Sequence, residues 1–274
     1  TLRTGLEKSR NLMTVRIAQN LGIDKIVNFS KLLGIYENPE KLLSISLGSA
    51  ETTLLKLASA YSAFINGGKL VEPVLIDRVQ DSEGNTIINN KQRSCINCDQ
   101  ISFMSKQYPE IKDNYKQVFS SQTAFQMTSL LEGVVKRGTG KKLRKLELNL
   151  AGKTGTTNEN TDAWFIGFTS NLIIGVYVGM DDPKPLGKYE TGSKTALPIF
   201  KEFVKKAVKK SNARPFKVAE GIIMMVVDPT TGKKAKFSSK NTIVEAYKEK
   251  NVVDGKVLFT NNNRLDSSNI LEFY

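Results

Sequence analysis

Residues 148–180 read LNLAGKTGTTNENTDAWFIGFTSNLIIGVYVGM, and the architecture follows from them. Three runs rich in β-branched and aromatic residues lie at 148–157, 162–169 and 172–180, with only short polar turns between them. Strands joined this closely pair antiparallel, because a parallel pair needs a long crossover. In the first run, alternation puts Lys153 and Gly155 on one face and Thr154 and Thr156 on the other. Asp181-Asp182-Pro183 then reads as a turn, and Trp164 as a core residue behind the sheet.

Helical periodicity surrounds this sheet. SRNLMTVRIAQN (9–20) predicts a helix with Ser9 as N-cap and Gly22 as its stop, followed by a helix from Asp24 to Leu33. TTLLKLASAYSAFINGG (52–68) and SQTAFQMTSLLEGVVKR (121–137), the latter capped by Ser121, predict two more. VEPVLIDRV (71–79), DSEGN and TIIN predict a hairpin. Periodicity is lost from about 89 to 118, which reads as an inserted, mobile surface loop. A last helix is expected over 195–210, a small β-rich extension over 213–258 and a polar tail over 259–274. The fold class expected is α+β: an antiparallel sheet flanked by helices, filling 1–212, with the last helix on one sheet face.

Composition narrows the chemistry. There is no histidine, so Ser-His-Asp and Cys-His nucleophile pairs and His-bearing zinc sites are excluded. Any catalytic base must be Lys, Asp, Glu or Tyr. The net charge of +13 suits an anionic partner. Yet Phe and Tyr fall on core periodicity, not between basic residues, which argues against nucleic acid. Lys205, Lys206, Lys209 and Lys210 read as the wet face of an amphipathic helix. Cys95 and Cys98 are too few for a zinc site and read as a small-loop disulfide or free thiols. No apolar run is long enough to span a bilayer.

Lys153 is the residue to explain. GKT at 152–154 invites a phosphate-loop reading, but that motif needs glycine at 147, where Glu147 stands. The alternative is a strand edge presenting an ammonium and hydroxyls, suited to a carboxylate-bearing, peptide-like ligand added as a further strand. Gly155 leaves room for such a ligand to approach the backbone.

Ser9-Arg10-Asn11 is an S-x-N triplet, and Lys153-Thr154-Gly155 is a K-T-G triplet that follows Asn11 by 142 positions. With EKSRNLMTVRIAQNLG, SLGSAETTLLKLASAYSAFINGG, MTSLLEGVVKRGTG, LAGKTGTTNENTDAWFIGFT and GVYVGMDDP in that order, the chain resembles the transpeptidase domain of class A, bifunctional penicillin-binding proteins. The resemblance covers most of 1–210. It implies the penicillin-binding protein/β-lactamase-like fold and a serine acyl transferase on the periplasmic face of the bacterial inner membrane. Its implied partners are peptidoglycan stem peptides ending in D-Ala-D-Ala, and β-lactams, with no cofactor or metal and no nucleic acid. Ser9 would relay a proton toward the leaving amine with Lys153, and Asn11 would hold the substrate amide. Thr154, Gly155, Thr156 and Thr157 would line the substrate, with the Thr156 N–H as half of an oxyanion hole.

The family's S-x-x-K nucleophile motif occurs nowhere in these residues: Ser9 is followed by Leu12, Ser49 by Thr52 and Ser193 by Ala196. The expectation is a truncated, S-x-N and K-T-G-bearing part of the domain, inactive alone. The nucleophile, the first strands, the glycosyltransferase domain and the anchor would lie outside it. An upstream fragment of the same protein would then be a partner, and the truncation should leave a sheet edge open. A β-lactamase-like fragment and a non-catalytic remnant of a split gene are the competing readings.

Overall fold

The computed structural model describes residues 1–90, 93–96, 98, 110–210, 213–236, 239, 241–253 and 256–257. Helices come first: α1 (Leu2–Glu7), α2 (Asn11–Leu21), α3 (Ile23–Leu32) and α4 (Leu54–Ile65). Short strands follow: β1 (Lys69–Leu70), β2 (Arg78–Gln80), β3 (Thr86–Asn89), β4 (Arg93–Ile96), β5 (Glu110–Asp113) and β6 (Lys116–Gln117). Helix α5 (Ser121–Lys136) leads into the main sheet of β7 (Ala151–Thr156), β8 (Ala163–Phe168) and β9 (Ile173–Val178). Helix α6 (Ala196–Ala207) and strands β10 (Ile222–Val227), β11 (Ile243–Lys248), β12 (Val252–Val253) and β13 (Lys256–Val257) come last among the described elements.

The sheet is antiparallel in the order β7-β8-β9, as the short turns require. Lys153 pairs with Ile166, and Gly155 with Trp164, which pairs in turn with Tyr177. The Lys153 face carries Ala151 and Phe168, which pack with Leu131 of α5 and Tyr61 of α4. The opposite face carries Phe165, fully buried and 4.7 Å from the ring of Phe200 on α6. A Cβ on Gly167 would sit 2.6 Å from the Phe200 ring, so glycine there lets α6 approach the sheet. Leu143, Leu146 and Leu150 fill the space between α5, α6 and the sheet.

Four local expectations change. The helix read as starting at Ser9 is instead broken there: α1 ends before it and α2 starts after it. The cap of α5 is Ser120, whose hydroxyl accepts the Thr123 N–H at 3.2 Å. Trp164 is half-buried on the Lys153 face, its ring 4.6 Å from that of Tyr177. Within 89–118, read as a loop, β4 pairs with β5 and β6 pairs with β1. Residues 91, 92, 97 and 99–109 of that segment lie outside the described residues, as does the tail from 258 on. Cys95 and Cys98 are joined as a disulfide.

The C-terminal pair β10–β11 is fastened to the body. Buried Arg3 of α1 bonds both oxygens of Glu245 on β11, and also the carbonyl and hydroxyl of Ser129 on α5. Glu7, buried one turn along α1, binds Arg137 at 2.5 and 3.1 Å. Gln126 of α5 donates to the carbonyl of Ala246 at 3.0 Å.

Candidate active site

Two tight structures converge on one ammonium. The first is the end of α1. Ser9 N–H donates to Leu6 C=O at 3.1 Å and Arg10 N–H to Gly5 C=O at 2.8 Å, the bond pattern of a Schellman cap. Its left-handed position usually belongs to glycine, yet Ser9 occupies it with φ 52°. Helix α2 starts two residues later, so the serine is pinned on a one-residue elbow. Strain of this kind collects at sites where the surroundings dictate the conformation.

The second is strand β7, the edge of the described sheet. Lys153 Nζ reaches from it to donate to Ser9 Oγ at 2.7 Å and to the Thr154 carbonyl at 2.8 Å. Neither partner carries charge. Burial therefore acts alone and pulls the lysine from its usual range down to about 8. Ser9, accepting from the ammonium, keeps its own proton to donate. Asn11 stands in the first turn of α2 with its side chain exposed.

The threonines divide by what they touch. Thr154 is buried, and its hydroxyl lies 2.8 Å from that of Thr139. Thr156 is exposed and accepts the Gly192 N–H at 3.0 Å, which leaves its proton free. Thr157 is committed to the β7–β8 turn: it accepts the Asp162 N–H at 2.8 Å and meets Thr161 at 2.7 Å. Gly192 lies so close that any Cβ would strike the carbonyls of Gly155 and Trp164. No sequence signal points to Gly192, and Gly138-Thr139-Gly140 enters the sequence analysis only as the end of the stretch MTSLLEGVVKRGTG. Among the described residues no group of three His, Cys, Asp or Glu could hold a metal ion.

The penicillin binding protein transpeptidase domain matches residues 1–205. The chain belongs to that family. Penicillin-binding protein 1A of Rickettsia prowazekii is 42% identical over 275 residues, covering 100% of this chain and 34% of the relative. The crystal structure of penicillin-binding protein 1A from Haemophilus influenzae superposes with a TM-score of 0.74 at 30% identity. It covers 89% of this chain and 39% of that one. The PonA1 protein of Mycobacterium tuberculosis, solved in complex with penicillin V, shares the fold with a TM-score of 0.61 at 21% identity, over 78% of this chain and 58% of its own. The chain thus spans about a third of the length of the curated relatives it matches. The resemblance to a class A penicillin-binding transpeptidase domain, and the α+β fold it implied, are borne out. Among the described residues no helix of this penicillin-binding domain is long and apolar enough to cross a membrane.

Proposed function

We propose that this chain supplies the S-x-N and K-T-G walls of a D-Ala-D-Ala transpeptidase site. The carrying observation is the 2.7 Å contact between Lys153 Nζ and Ser9 Oγ. A lysine brought down to about 8 exchanges its proton within reach of neutral pH. Ser9, bonded to it, passes a proton between Lys153 and the departing amine of a stem peptide. Asn11, exposed and two residues after Ser9, holds the substrate amide. The carboxylate of the terminal D-Ala meets Thr154 and Thr156, each with one hydroxyl proton, while Lys153 adds positive charge. Gly155 keeps the strand low enough for the ligand to lie along its edge. Thr157 supports the turn behind them.

The attacking serine belongs to an S-x-x-K segment contributed from outside these 274 residues, the upstream partner of this chain. That segment reaches the same site, and β-lactams acylate its serine in place of the stem peptide. The working place is the periplasmic face of the inner membrane, where the stem peptides are.

Labelled penicillin tests this. The chain alone should give no denaturation-resistant band. Supplying the upstream S-x-x-K segment, fused or in trans, should produce one. Lys153→Ala should remove it and the exposed Lys145→Ala should not. Labelling of the chain alone, or equal labelling of the two variants, would overturn the reading.

A further inference from the structure

The turn after α5 touches both halves of the site. Gly138 donates to the carbonyls of Gly133 at 3.2 Å and Val134 at 3.0 Å, and Gly140 donates to Val134 at 3.0 Å. A Cβ on Gly138 would strike the carbonyl of Glu7, so α1 rests directly on this turn. Between the two glycines, Thr139 N–H donates to that same Glu7 carbonyl at 3.1 Å. Its side chain points the other way, and its hydroxyl lies 2.8 Å from Thr154 of the K-T-G strand.

Each hydroxyl has one proton, and a carboxylate only accepts. For Thr154 to donate to a carboxylate, it must receive its other bond from Thr139. Thr139 then spends its proton on Thr154. Thr154 is buried and makes no other side-chain hydrogen bond among the described residues, so this contact is what fixes its rotor. Thr139 is itself fixed by the carbonyl two residues before Ser9.

We propose that Thr139 is a positioning residue of this site: its hydroxyl aims the proton of Thr154 at the ligand carboxylate, from a backbone tied to the S-x-N elbow. The inference rests on Thr154 being a carboxylate ligand.

The test uses the domain completed with its S-x-x-K segment and compares acylation by benzylpenicillin with acylation by its methyl ester. Thr139→Val keeps shape and loses the hydroxyl. It should slow acylation by the acid about tenfold and change the ester by less than about twofold. Thr139→Ser should restore the acid rate. Thr154→Val should lose the acid-over-ester preference as well. If Thr154→Val loses it and Thr139→Val keeps it, Thr139 has no positioning role, although the carboxylate assignment stands. If Thr154→Val keeps it, or the wild type is not acylated, the carboxylate assignment fails and this inference with it. Equal slowing of acid and ester by Thr139→Val marks a structural role and overturns the proposal. Should Thr139→Val not fold, nuclear magnetic resonance of the wild-type chain decides. A single Thr154 rotamer and a slowly exchanging hydroxyl pair support the proposal, and an averaged rotamer overturns it.

Discussion

Lys153 Nζ stands 2.7 Å from Ser9 Oγ, although 144 positions separate them in the chain. The contact joins a strained elbow to a lysine that has lost its water without gaining a counter-ion.

That lysine should weaken the fold near neutral pH. Its folded value, about 8, is below the ordinary 10.5, so folding disfavours the charged form. Below about 8 the lysine is charged in both states and the cost is complete. The cost falls as pH rises from 8 toward 10.5 and then vanishes. Lys153→Met should therefore stabilise the chain at pH 7 by about 1–3 kcal/mol, with discount for the part of the side chain still in water. Urea unfolding at pH 7 and again above the lysine range should show the gain shrink. A constant gain would trace to packing instead.

Ser9 at φ 52° separates backbone from side chain. Ser9→Gly should be more stable than Ser9→Ala by about 1 kcal/mol, since alanine keeps the left-handed penalty and glycine does not. Both substitutions remove the partner of Lys153. Thermal melts compare the pair, and equal melting points would mean that the elbow relaxes.

The Arg3–Glu245 contact is buried on the arginine side. Glu245→Ala should cost about 3 kcal/mol, because Arg3 keeps its charge with only Glu7 left to answer it. Arg3→Met with Glu245→Leu should recover most of that loss. A double-mutant cycle by chemical denaturation measures the coupling, and a coupling near zero would remove the pair from the stability of the domain.

Gly192→Ala should displace the segment that crosses β7. The added methyl has no room against the carbonyls of Gly155 and Trp164. The Gly192 N–H bond to Thr156 would be lost, for a total of about 2 kcal/mol. The Thr156 amide resonance should shift strongly, and an unmoved resonance would place the strain elsewhere.

The main sheet was legible because its signals are local. Alternation and turns too short for a crossover leave one arrangement for β7, β8 and β9. Lys153 and Ser9 could be named from their triplets, but their contact could not be derived from either. The break at Ser9 was hidden for a related reason. Serine is a good helix start, and its role as a left-handed helix end is imposed by the neighbours it meets in space. Thr157 looked equivalent to Thr156 on paper, and only the β7–β8 turn shows that its hydroxyl is already engaged. Thr139 was invisible as a site residue because a hydroxyl on a glycine turn has no pattern until Thr154 lies beside it.

The bond from Arg3 to Glu245 spans 242 positions, and it holds the helix that ends at Ser9. On a ribosome adding roughly 5–20 residues per second, the partner of Arg3 emerges tens of seconds after Arg3 does. Until then α1 lacks its outer clasp. The elbow that carries Ser9 is synthesised well before β11 and can be locked only after it, so a chain released before β11 would carry every residue of both triplets without a fixed distance between them.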